Sequence, residues 1–200
     1  MPKIKICGLR RARDVAYVNE AGPDYVGFVF APSRRRVSPF EAEGLRAGLR
    51  DGIVPVGVFV NASPDDVAAL YRAGVIELAQ LHGGEDEAYI AALKVLCGVP
   101  VIRAVRMDRQ DVPADTGADY LLLDGGAGGL GQGFDWGRIP SGGKPFFLAG
   151  GITVDNIRAA TALRPYAIDV SSGAETDGEK DREKVLALVA AARRELRIKN

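Results

Sequence analysis

The stretch FFLAGGITVDNIRAATALRPYAIDVSSGAE, residues 146–175, decides how the chain is read. An apolar run at 146–150 ends in Gly150-Gly151. Residues 155–163 then carry apolar positions at helical spacing, and a second apolar run at 167–171 leads into Ser172-Gly173. Strand, helix and strand in about 30 residues make one βα repeat, the crossover that two parallel strands require. Working outward, runs rich in Val, Ile, Phe and Leu recur at 3–7, 25–30, 55–61, 77–82, 100–105 and 120–124, which with the first two makes eight. Helical patterns occupy 11–21, 38–49, 63–73, 86–96 and 181–197. Ser38-Pro39 and Ser63-Pro64 each set a capping hydroxyl before a proline at the first helical position, while Gly22 and Gly74 sit where helices should stop. Residues 107–117 are too short for a full helix, and 125–133 form a glycine-rich loop. Eight strands alternating with helices predict the α/β class and a single closed (β/α)8 TIM barrel, because a doubly wound sheet usually stops at about five or six strands. No linker or composition shift divides the chain, so one domain is expected over residues 1–200.

With 47% hydrophobic residues the chain is globular, and its 26 basic and 26 acidic residues cancel. A balanced surface does not suit nucleic acid or an anionic membrane, so a small-molecule ligand is expected. The first residues lack an apolar h-region and no stretch approaches the roughly 18 apolar residues of a membrane span, which points to a cytoplasmic protein. Cys7 and Cys97 are far apart and there is one histidine, so neither a disulfide framework nor a metal site is expected. Monomer and homodimer are equally compatible with the sequence.

In such a barrel the active site is built at the C-terminal ends of the strands, so polar and glycine residues there are the candidates. The turns LAGGI at 148–152 and DVSSGAE at 169–175 can form a phosphate cup, since bare backbone N–H groups come close to phosphate oxygens only where glycine lets them; tight βα turns alone would also use glycine. Cys7 ends the first run and shares parity with Lys5, so both point into the barrel while Ile4 and Ile6 face helices. A nearby ammonium favours thiolate, making Cys7 a candidate base or nucleophile assisted by Lys5; the alternative is a small buried hydrophobe. Asp124 emerges from the apolar run 120–123 and can serve as a proton donor, or be a carboxylate satisfied by the N–H groups of the following loop. Arg34, Arg35 and Arg36 follow the second run, where one could clamp a carboxylate bidentately. His82 ends the fourth run with Gln80 at the same parity, and either lines the pocket or holds a structural hydrogen bond. Cys97, within a helical pattern, reads as structural.

The segments KICGLRRARDV, GFVFAPSRRRVSP, VGVFVN, QLHG, LLLDGGAGGLGQGFDW, LAGGITVDNI and DVSSGAE, in this order from Lys5 to Glu175, together resemble the phosphoribosylanthranilate isomerase family. The resemblance implies the Amadori rearrangement of N-(5-phosphoribosyl)anthranilate in tryptophan synthesis, without metal or organic cofactor. It implies Cys7 as the general base at the ribose C2 and Asp124 as the general acid at the ring oxygen. It further implies Arg35 on the anthranilate carboxylate, Asp169 near the sugar or aryl amine, and Gly150, Gly151, Ser172 and Gly173 around the phosphate. Arg36 stands where the family often has an aromatic residue, and Leu130 where Thr or Ser is usual. Competing readings are a histidine-pathway isomerase, which would want a carboxylate in place of Cys7, a metal-dependent pentulose phosphate epimerase, and a catalytically silent phosphometabolite-binding barrel.

Overall fold

The computed structural model describes residues 2–108, 112–113, 115–125 and 143–194, with Arg194 described by its backbone alone. The strands are β1 (Lys3–Cys7), β2 (Tyr25–Val29), β3 (Val54–Phe59), β4 (Leu78–Leu81), β5 (Val101–Arg106), β6 (Tyr120–Asp124), β7 (Phe146–Ala149) and β8 (Ala167–Val170). They pair in parallel in sequence order and close through β1 and β8, where Lys5 lies beside Asp169. The helices are α1 (Ala12–Ala21), α2 (Pro39–Ala47), α3 (Pro64–Arg72), α4 (Glu87–Cys97), α5 (Ile157–Ala162) and α6 (Arg182–Arg194). The closed (β/α)8 barrel expected from the repeat is therefore the fold, and no helix occurs among the described residues between β5 and β6. Leu130, the FDW segment and residues 195–197 of the last expected helix lie outside the described residues.

Local chemistry explains the boundaries. Ser38 accepts from the Glu41 N–H while Glu41 reaches back to the Ser38 N–H, a full capping box at the start of α2, and Ser63 caps α3 through Asp66. Gly22 ends α1 in the left-handed conformation, φ 66°. Alternating side chains divide the strands into two layers. Ile4, Ile6, Val26 and Phe28 pack outward with helix residues such as Val15, Val18 and Leu45, whereas Tyr25, Val56, Leu78, Ile102, Leu122 and Phe147 fill the barrel. Cys7, Val29, Ala31 and Val58 form a smaller apolar group at the mouth.

One feature departs from the expected repeat. After β8 the chain makes a 3-10 turn (Ser172–Ala174) and then a short antiparallel hairpin of β9 (Glu175–Thr176) and β10 (Glu179–Lys180) before α6 begins. Strands of two residues have no readable alternation, so nothing in the pattern marks them. Among the described residues no helix is long and apolar enough to cross a membrane.

Candidate active site

The strand ends converge on a cleft of about 710 Å³ at the C-terminal mouth of the barrel. Its walls include Cys7 from β1, Gln80 and His82 from β4, Asp124 from β6, and Asp169 from β8. A smaller groove of about 440 Å³ lies between α2 and α3, outside the barrel, and Arg36 turns into it. Cys7, His82, Asp124 and Asp169 face one another across the larger cleft.

A continuous polar chain crosses the floor of the cleft. Lys5, 0% exposed, donates from Nζ to Asp169 Oδ2 at 2.9 Å and to Gln80 Oε1 at 2.8 Å. Gln80 Nε2 lies 3.1 Å from His82 Nδ1, and His82 Nε2 lies 3.5 Å from Asp124 Oδ2. The other oxygen of Asp169, Oδ1, is buried and has no hydrogen-bond partner. A buried acceptor left unpaired costs free energy that a bound N–H or O–H can recover.

Lys5 does not act on Cys7 alone. Burial by itself would favour the neutral amine, but Asp169 and Cys7 outweigh it and hold Lys5 above its ordinary range. Burial pushes the Cys7 thiol up; Lys5 and Lys180 pull it down, and Asp169 opposes them. Burial thus outweighs the pull of the two lysines on the thiol, and Asp169, paired with Lys5, adds to it. Cys97 donates to the Leu93 carbonyl within α4, as a structural cysteine would.

Of the three adjacent arginines, only Arg35 lines the cleft. It donates through Nε and Nη2 to both oxygens of Glu175, at 2.6 and 2.8 Å. Arg34 also reaches Glu175, at 2.7 Å, but its side chain is 58% exposed against 19% for Arg35. Lys180 adds a third contact at 2.7 Å and a second bond to the Ser171 carbonyl. Burial alone would raise the Glu175 carboxyl; the hydrogen bonds from Arg35 and Lys180 prevail and lower it to about 2. Sequence reading passed over Glu175 and Lys180 because both belong to the unforeseen hairpin.

This arrangement predicts the effect of Glu175→Gln. The depressed carboxylate contributes stability in full above its unfolded value near 4.5 and loses it as pH falls toward about 2. The variant should lose that acid-side dependence in pH-resolved melting. Freed from a carboxylate fork, Arg35 should also raise KM by about tenfold, the equivalent of roughly 1.4 kcal/mol, with a smaller change in kcat.

At β7 and β8 the glycines do what the strand ends require. Gly150 and Gly151 adopt φ of 100° and 61°, the left-handed region where side chains are strained. A Cβ at Gly150 would also stand 2.8 Å from the Gly125 nitrogen and 3.1 Å from Asp124 Oδ1. A Cβ at Gly173 would lie 1.8 Å from the Ile152 carbonyl oxygen, so the loops after β7 and β8 touch backbone to backbone. Asn156 pins the first loop through the Thr153 N–H and the Gly151 carbonyl. Gly150, Gly151 and Ser172 line the cleft, and Gly173 supports them from behind. Among the described residues no group of three or more His, Cys, Asp or Glu side chains is placed to hold a metal ion.

Fold and site together define a (β/α)8-barrel enzyme with acid–base groups at the strand ends and a glycine-lined cup at the last two strands. The family model described as N-(5'phosphoribosyl)anthranilate (PRA) isomerase matches residues 4–191, and the chain belongs to that family. An N-(5'-phosphoribosyl)anthranilate isomerase of Endomicrobium trichonymphae is 48% identical, covering 96% of this chain and 99% of its own. The phosphoribosyl anthranilate isomerase of Thermus thermophilus superposes with a TM-score of 0.84 at 35% identity, over 96% of this chain and 98% of that one. A phosphoribosyl anthranilate isomerase in complex with reduced 1-(o-carboxyphenylamino)-1-deoxyribulose 5-phosphate superposes with a TM-score of 0.77 at 30% identity, over 96% and 99%. The protein is an isomerase of tryptophan biosynthesis.

Proposed function

We propose that the cleft converts N-(5'-phosphoribosyl)anthranilate to 1-(2-carboxyphenylamino)-1-deoxy-D-ribulose 5-phosphate by general acid–base catalysis. The phosphate sits against Gly150, Gly151, Ser172 and Gly173, and the anthranilate carboxylate against Arg35. Asp124 gives its proton to the furanose ring oxygen; the C1–O bond breaks and the nitrogen lone pair forms the C1=N bond of a Schiff-base cation. Cys7 takes the C2 proton, and the electrons of that bond become the C1=C2 bond of an enolamine. Return of a proton to C1 and loss of the C2 hydroxyl proton give the ketone. Hydrogen moves from C2 to C1 with no net oxidation, so the sequence of steps balances without a redox partner. Positive charge arriving beside Cys7 with the Schiff base also favours its thiolate.

The observation that carries this reading is that Cys7 and Asp124 line one cleft from different strands. His82 stands beside the acid, and the unpartnered Asp169 Oδ1 suits the aryl amine N–H or a sugar hydroxyl. A dianionic sugar phosphate stays where it is made, and we place the enzyme with it in the cytoplasm.

The test is to mix purified protein with freshly prepared N-(5'-phosphoribosyl)anthranilate and follow the loss of its anthranilate-type fluorescence. Rapid decay, with the ketose phosphate formed in equal amount, is expected. Fluorescence no faster than in buffer would remove the proposal and direct attention to other phosphosugars.

A further inference from the structure

The chain has one histidine, His82, and the atoms around it dictate where its proton resides. Lys5 Nζ is an ammonium buried against Asp169 and can only donate. The Gln80 atom 2.8 Å from it is therefore the carbonyl Oε1, because the amide nitrogen would set donor against donor. With the amide orientation fixed, Gln80 Nε2 is the atom 3.1 Å from His82 Nδ1. An amide nitrogen donates, so Nδ1 must accept and carries no proton. The imidazole proton is on Nε2, which faces Asp124 Oδ2 at 3.5 Å, at the long end of a contact of a kind that tightens as substrate binds.

We propose that Gln80 is a positioning residue for the isomerisation: it holds His82 as the neutral Nε2–H tautomer, which donates to Asp124 Oδ2 and leaves the transferable proton of the acid on Oδ1. Oδ1 is the oxygen on the Gly150 side of the cleft. The inference rests on Asp124 as the proton donor. Its chemical sense lies in the charge of the histidine. An imidazolium at this distance would stabilise the Asp124 carboxylate and strip the acid of the proton it must give. Protonating Nδ1 would put its N–H against the Gln80 N–H, so Gln80 keeps His82 neutral. The same amide ties this assignment, through Lys5, to the base side of the cleft, and 2% exposure leaves Gln80 no solvent with which to exchange partners.

Because His82 is the sole histidine, tag-free protein labelled with ¹⁵N-histidine gives one imidazole to assign. At neutral pH the native enzyme should show an unprotonated Nδ1 and a protonated Nε2. Gln80→Glu keeps the size but offers only acceptors, so it should move a proton onto Nδ1, while kcat falls by about 10- to 100-fold, as loss of an orienting partner does, and KM changes by less than about threefold. A native spectrum showing imidazolium or the Nδ1–H tautomer overturns the proposal, and that measurement needs no variant to fold. An altered tautomer in Gln80→Glu with kcat intact overturns the positioning role. Full activity of Asp124→Asn would instead remove the acid assignment, an outcome separable from the tautomer itself.

Discussion

Replacing Cys7 by alanine should lower kcat by about 10³-fold or more and leave KM within about threefold, with anthranilate fluorescence as the readout over a range of substrate concentrations. The side chain is small and 7% exposed, and it lies in the apolar group at the mouth with Val29, Ala31 and Val58. Alanine there removes one sulfur and its contact with Lys5, while Lys5 keeps Asp169 and Gln80, so the barrel stands and the loss is chemical. Serine at the same position should be nearly as inactive, because an alkoxide is far harder to form than a thiolate. The pH profile separates the base from its surroundings. Cys7 is held up by burial and drawn down by Lys5, so activity should rise with pH as the thiol ionises. Lys5→Met withdraws the cation, and the rising limb should move to higher pH; an unmoved limb would show that Lys5 serves only Asp169 and Gln80.

Much of this was readable from residues alone, and the reasons are local. β1 and β6 fall on the expected 3–7 and 120–124, because each is a short apolar run closed by a polar residue that the barrel mouth needs. Other edges move by one or two positions, as element ends do where capping competes with pairing. Parity correctly turned Lys5 and Cys7 inward, since a strand has only two faces. Parity does not say what lies across the barrel. That Lys5 is shared with Asp169 and Gln80 depends on the register of β1 with β8 and on the barrel's curvature, which parity does not carry. Glu175 was hidden for a related reason. Its importance comes from three cations gathered by a loop and a two-residue hairpin, and no periodicity in the chain announces that meeting.

Asp124→Asn should lower kcat by about 10²- to 10⁴-fold with KM little changed. Asparagine keeps the size and an oxygen for the His82 N–H, but its amide has no acidic proton for the ring oxygen. The expected loss therefore falls on ring opening, the step before Cys7 acts, and this order distinguishes the two variants. Cys7→Ala retains the acid, so it should still open and close the furanose ring, which exchanges the two anomers of the substrate without forming product. Asp124→Asn should do neither. Exchange between anomeric signals, followed by magnetisation transfer in the presence of each variant, separates the cases. Enzyme-dependent exchange with Cys7→Ala and none with Asp124→Asn assigns the acid to the first step and the base to the second. Equal exchange in both would mean that another group protonates the ring oxygen, and the polar chain from Asp169 through Lys5, Gln80 and His82 would then have to end somewhere other than on the acid.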